Sequence, residues 1–199
     1  MILALCAFQV QAQSDEARIQ QVRSNPEALA KAVAEGKKAA FFCANCHGDN
    51  GNSDYDYIPT LAGQHPLYLL NQIRKFADGR RQDDFMSGMI KLMKDEDRFN
   101  IALFYSTQPV NASTVKDSAL TARGRQIFGN ICMGCHGANG YGNQNIARLA
   151  GQHPVYLRQS LEKYRKGTKE RSDPVMGSIA RRLSNDDINA VAAYISTMK

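Results

Sequence analysis

Apolar residues recur at helical spacing through most of the chain, and the pattern runs twice. After Pro66, residues Tyr68, Leu69, Ile73 and Phe76 fall at i, i+1, i+5 and i+8, the stripe of an amphipathic helix. After Pro154 the same positions carry Tyr156, Leu157, Leu161 and Tyr164. The prolines suit a first helical turn, and Gly79 and Gly167 suit its end. A later helix, Asp95 to Thr107, matches Asn185 to Thr197, with Asp97, Ala102, Ser106 and Thr107 opposite Asp187, Ala192, Ser196 and Thr197. Ser184 reads as its N-cap in the second copy, and acids in the first turn suit the helix dipole. Each half also opens with a helix, roughly Pro26 to Phe42 with Asn25 as cap, and roughly Leu120 to Gly129. Strand signals are negligible. The pattern predicts an all-α chain made of one unit used twice.

The repeat is sharpest in a loop. Leu61-Ala-Gly-Gln-His-Pro66 returns letter for letter as Leu149-Ala-Gly-Gln-His-Pro154. Gln108 to Lys116, rich in Pro, Asn, Ser and Thr, reads as a linker. The partition expected is 1–12 as the remnant of a signal peptide, 13–107 as a first domain, 108–118 as linker and 119–199 as a second domain. Residues 1–12 hold a short apolar stretch ending in Val10-Gln11-Ala12, a small-residue cleavage pattern, although no Lys or Arg precedes Arg18. A frayed N-terminal helix is the plainer reading of the same residues. Cleavage there would remove Cys6 and leave four cysteines. Leu5 is not small, which argues against lipid attachment at Cys6. No segment has the ~18 apolar residues of a membrane span.

Those four cysteines carry the chemistry. Cys43-Ala-Asn-Cys46-His47 and Cys132-Met-Gly-Cys135-His136 are both Cys-x-x-Cys-His. Two thiols at this spacing can add across the two vinyl groups of one haem, and the next imidazole is then held beneath the iron. A four-thiolate zinc site usually joins its pairs by a short loop, whereas Cys46 and Cys132 are 86 residues apart. A thioredoxin-like pair needs a βαβ pattern, and none is present. Two haem c groups, one per half, are the expected cofactors. Their propionates would offset much of the formal +6 charge, and the basic residues form no long run, so nucleic acid is not an expected partner.

What lies across each iron from His47 and His136 separates a carrier from an enzyme. Aligning the closing helices sets Met86 opposite Met176, 39 and 40 residues after their histidines, and puts Met89 opposite Ile179 and Met93 opposite Leu183. Met86 and Met176 are the expected axial thioethers. Met89 is an alternative to Met86, and any one Met can simply fill a core. His65 and His153 are alternatives of another kind, giving two histidines per iron, or else contacts to a propionate or between the halves. Pro59 and Ala147 are placed to offer a backbone carbonyl to the other nitrogen of each imidazole.

With these residues the sequence resembles the class I c-type cytochromes, and within them the dihaem cytochrome c4 family. Gly124 and Phe128, eight and four residues before Cys132, match the opening helix of the class, and Phe104 and Tyr194 its closing-helix aromatic. Gly36 departs, standing seven residues before Cys43. The resemblance covers roughly residues 27 to 199. It implies two tandem cytochrome c domains, each wrapped round one covalent haem, with the propionates near the junction of the halves. It further implies a periplasmic electron carrier, not an enzyme, of a kind often associated with the membrane surface. Such a carrier takes electrons from a quinol-oxidising complex or a dehydrogenase and passes them to a terminal oxidase. Arg80, Arg81, Lys169 and Arg171 are candidates for pairing with propionates or docking partners, a solvated face being the plainer reading. Competing readings are a peroxidase-like enzyme with one open iron, which the matched His-to-Met spacing disfavours, and the cytochrome subunit of a dehydrogenase complex.

Overall fold

Helices follow one another with no strand among the described residues, and beyond an extra first helix the halves share one order of elements. The computed structural model describes residues 15–111 and 118–199. The proposed signal remnant, with Cys6, and positions 112–117 of the linker lie outside them. The first half comprises α1 (15–23), α2 (Pro26–Ala39), α3 (Phe41–His47), α4 (Pro66–Ala77), α5 (Asp84–Lys91) and α6 (Asp95–Ser106). The second comprises α7 (Ser118–Ile127), a π turn (Phe128–Cys132), α8 (Met133–His136), α9 (Pro154–Lys166), α10 (Pro174–Arg181) and α11 (Asn185–Thr197). Each half has its own core. Leu70, Leu103 and Phe104 centre the first, and Phe128, Val191 and Ile195 the second.

Local chemistry sets the boundaries. The Asn25 side chain accepts from the backbone of Glu27 and Ala28 at the start of α2. Pro66 and Pro154 open α4 and α9, where a missing N–H costs nothing. Gly167, at φ 68°, ends α9 in the left-handed conformation. At α11, Ser184 and Asp187 exchange side chain-to-backbone hydrogen bonds in a complete capping box. Those bonds, led by the Ser184 hydroxyl and joined by Arg123, hold the Asp187 carboxyl at about 2.

The opening and closing helices of each half, α2 on α6 and α7 on α11, cross at a glycine. A Cβ on Gly36 would stand 2.1 Å from the Asn100 carbonyl oxygen, and one on Gly124 would stand 2.0 Å from that of Ala190. The seven-residue spacing from Gly36 to Cys43 therefore leaves the crossing intact. The two spacings are reconciled beyond it: α2 stops at Ala39 and restarts at Phe41, whereas the extra residue in the second half is taken up by the π turn.

Two features were not expected from the sequence. Helix α1 packs on the first half through Ile19, an Asp15–Arg74 ion pair and Arg18, which bonds Glu96 and lies 3.8 Å over the Phe99 ring. The linker's first residues are also tied down, since Asn52 donates to the Pro109 carbonyl and accepts from the Asn111 amide.

Gly36→Ala and Gly124→Ala are each expected to cost about 1–3 kcal/mol, read as a lower urea midpoint at unchanged slope. Equal stability in either variant would contradict the crossing. Because the Asp187 carboxyl is lower in the fold than its ordinary 3.8, its stabilisation is present above that value and is lost as pH falls through about 2. Asp187→Asn should thus be less stable than the parent chain at pH 6, with the gap closing in acid unfolding scans.

Candidate functional site

In the first half, Cys43 and Cys46 are one helical turn apart on α3, which ends with His47. In the second, Cys132 closes the π turn, and Cys135 and His136 end α8. Each histidine is followed by a glycine at φ 78°, Gly48 and Gly137, a left-handed conformation that side chains with a Cβ disfavour. This glycine reverses the chain and returns it over the imidazole. The Ser53 hydroxyl then donates to the Cys46 carbonyl and pins the end of α3.

Both imidazoles are buried, 6% exposed at His47 and 8% at His136. His47 Nδ1 lies 2.9 Å from the Pro59 carbonyl oxygen and His136 Nδ1 lies 2.9 Å from that of Ala147. A carbonyl can only accept, so Nδ1 carries the proton and Nε2 keeps its lone pair, the form that ligates a metal. Burial outweighs these bonds and lowers both histidines' proton affinity, with the Arg81 charge adding at His47. Burial likewise raises the Cys43 thiol, and pushes Cys132 up to about 11. Among the described residues no three of His, Cys, Asp and Glu gather where a metal could be held. The donors fit a haem: two thiols to bond its vinyl carbons and one imidazole for its iron.

The methionines occupy matched places. Asp83 caps α5 by accepting from the Met86 amide at 3.0 Å, and Asp173 caps α10 by accepting from the Met176 amide at 2.9 Å. Both methionines thus stand at the third residue of a short helix, and both are part-buried. These helices were missed in the sequence. An aspartate three residues before each Met, with Pro174 at the first helical position, is the signal that marks them. Arginines steady the far ends: Arg98 donates to the Ile90 carbonyl and Arg165 to the Leu183 carbonyl. Met89 is one turn beyond Met86 on α5, and Met93 packs against the first core.

His65 and His153 serve the junction between the halves. His65 Nε2 lies 2.7 Å from the Tyr141 carbonyl oxygen and His153 Nε2 lies 2.9 Å from that of Ser53. Nε2 of each histidine is therefore engaged across the junction. Beside them, Gln64 bonds both the amide and the carbonyl of Arg148, and Gln152 does the same to Thr60. Every pair in this set is answered by its counterpart 88 residues away, as in a twofold contact.

Of the four basic candidates, Arg80 pairs with Asp78, and Lys169 is exposed. Arg81 and Arg171 are not on a solvated face. Both approach the Tyr156 hydroxyl, Arg171 is only 7% exposed, and the buried Arg81 Nε has no hydrogen-bond partner among the described residues. Neither forms an ion pair with a described carboxylate. Burial and the Arg81 charge push the Arg171 guanidinium down to about 9, still protonated at neutral pH.

A tandem pair of helical units, each presenting two thiols and a neutral imidazole, defines a dihaem c-type cytochrome. Consistent with this, the cytochrome c family model matches the chain twice, over residues 33–107 and 121–199. The chain belongs to the cytochrome c4 family. It is 36% identical over 175 residues to cytochrome c4 of Pseudomonas aeruginosa, covering 82% of this chain and 87% of that protein. Reduced recombinant cytochrome c4 from Pseudomonas stutzeri has the same fold, with a TM-score of 0.77 at 33% identity over 82% of this chain and 97% of that one. A thiosulfate dehydrogenase electron acceptor from Thiomonas intermedia is 31% identical over 169 residues, 77% of each protein. The protein is a dihaem electron-transfer cytochrome with two haem c groups.

Proposed function

We propose that the chain is a periplasmic one-electron carrier, not an enzyme, organised as domains 13–107 and 119–199. In this reading Cys43 and Cys46 hold one haem by thioether bonds and Cys132 and Cys135 hold the other. His47 with Met86, and His136 with Met176, are the axial pairs. Pro59 and Ala147 fix the imidazoles from behind, and Arg81 and Arg171 meet propionate carboxylates. The observation that carries it is the match between halves, in which each site pairs a carbonyl-held histidine with an Asp-capped methionine.

Haem c supplies a reversible ferric–ferrous couple whose potential a thioether ligand raises. The chain keeps the couple from becoming a reaction centre. Met86 and Met176, presented at helix starts, would fill the position where a small molecule could otherwise bind, and the buried, carbonyl-held imidazoles of His47 and His136 would stay in place on the other side. An enzyme needs one open iron with an acid–base group beside it, and equal treatment of the two halves argues against that. The donor is a quinol-oxidising complex or a dehydrogenase, and the acceptor is a terminal oxidase. The similarity to a thiosulfate dehydrogenase electron acceptor supports the dehydrogenase as donor. It also supports a second reading, that of a cytochrome subunit held in a dehydrogenase complex. Among the described residues no helix is long and apolar enough to cross a membrane.

Two haems per chain whose reduced spectrum ignores carbon monoxide are expected. A carbon monoxide shift in the parent protein would favour the enzyme. Met86→Ala and Met176→Ala should each open one iron to carbon monoxide and lower one potential. If Met86→Ala leaves both properties unchanged and Met89→Ala does not, Met89 is the ligand. Copurification with a dehydrogenase through salt washes would favour the subunit reading.

A further inference from the structure

The peptide group that holds each histidine is itself held by the other half of the molecule. The carbonyl accepting from His47 belongs to Pro59, and the N–H of the same peptide unit is that of Thr60, which donates to Gln152 Oε1 at 2.9 Å. In the second half the carbonyl accepting from His136 belongs to Ala147, and the same unit's N–H, on Arg148, donates to Gln64 Oε1 at 2.7 Å. Both glutamines are 7% exposed. Each is locked in orientation, because its Nε2 donates to the next carbonyl, that of Thr60 or of Arg148, at 2.9 Å. Each Oε1 also accepts the amide of the histidine that follows, His153 or His65. The amide oxygen cannot rotate away without breaking three bonds at once.

We infer that Gln152 tunes the haem iron of the first half, and Gln64 that of the second, through these peptide units. The glutamines are positioning residues that act crosswise. This rests on the ligand assignment proposed above. In an amide, a hydrogen bond donated by the N–H shifts electron density onto the oxygen and makes it a stronger acceptor, so bonds in such a chain reinforce one another. A stronger acceptor at Nδ1–H makes the imidazole a more basic ligand. A more basic ligand favours the ferric state and lowers the potential. The low local dielectric around a buried chain strengthens each step. The result is that the setting of one site includes a residue of the other half, with no contact between that residue and the iron or its ligand.

The test is an optical redox titration of the full-length holoprotein beside Gln152→Met and Gln64→Met, which keep side-chain length and remove the amide oxygen. The haems are told apart by their proton NMR resonances. Gln152→Met is expected to shift the first-half potential upward and leave the second unchanged, and Gln64→Met to do the reverse. In the reduced protein the Nδ1–H resonance of His47 should move upfield in Gln152→Met, while that of His136 stays. A general loosening of the junction would move both potentials in both variants, and that result would overturn the inference. So would unchanged potentials at full haem content. Should either variant fail to fold, Gln152→Glu and Gln64→Glu retain an acceptor at the same reach. They are expected to leave the crosswise resonance at or downfield of its parent position, and an upfield shift would count against the relay. A parent protein lacking two haems, or with either histidine unligated, would overturn the ligand reading and the inference together. Full ligation with no crosswise effect overturns the inference alone.

Discussion

A pair of buried glutamines holds this molecule together, and much of its architecture follows from how they must be satisfied. An amide side chain taken out of water needs partners for both its donor and its acceptor. Gln64 and Gln152 find theirs on the backbone of the opposite half, at Arg148 and Thr60. A backbone unit offers one N–H and one carbonyl in fixed geometry, so the fit demands a particular loop and not merely a polar surface. Each hydrogen bond contributes about 1 kcal/mol net, and leaving any of them unmade inside the junction costs more. The loop that supplies the glutamine in one half lies next to the loop that receives it, and the same is true in the other. This is why Leu-Ala-Gly-Gln-His-Pro recurs letter for letter while the helices around it have diverged. Each copy has to fit its own likeness.

The same junction positions the chemistry. The loop that receives the glutamine runs on into the helix start at Pro66 or Pro154, and Leu61 and Ala62 both return their amides to the Gly51 carbonyl, as Leu149 and Ala150 do to that of Gly140. Imidazole, receiving loop and glutamine are therefore successive layers of one assembly. The histidines beside the glutamines reach across to Ser53 and Tyr141, so that two side chains with ligand chemistry are used as bolts. The arginines at Tyr156, Arg171 buried and Arg81 half-buried, are the complementary feature: a concentration of positive charge at the junction with which no described carboxylate forms an ion pair.

The sequence was most legible where chemistry constrains spacing. Cys-x-x-Cys-His has few other uses, and Pro59 stood at a distance from His47 that a returning loop makes natural. Capping residues such as Asn25 and Ser184 announced helix starts because their side chains have only local work to do. Legibility failed where the reason lay in tertiary contact. His65 and His153 had two readings until the Tyr141 and Ser53 carbonyls were seen opposite them. Arg81 and Arg171 looked like ordinary surface cations, because nothing local marks an arginine as buried. Helix α1 rests on Ile19 and two ion pairs with distant residues, which no window along the chain can contain. The short methionine helices were overlooked since eight residues carry little periodicity, although their aspartate caps were in plain view.

The π turn at Phe128–Cys132 gives the second half a freedom the first achieves differently. One residue advances an α-helix by 100°, so the additional residue between Gly124 and the cysteines would, in a regular helix, carry the thiols about a quarter-turn round the axis. A single widened turn absorbs that phase error before the cysteines begin. The first half meets the same need with a break at Ala40. The face a helix buries and the face it offers to chemistry are thereby uncoupled. Each can change its register without dragging the other out of alignment.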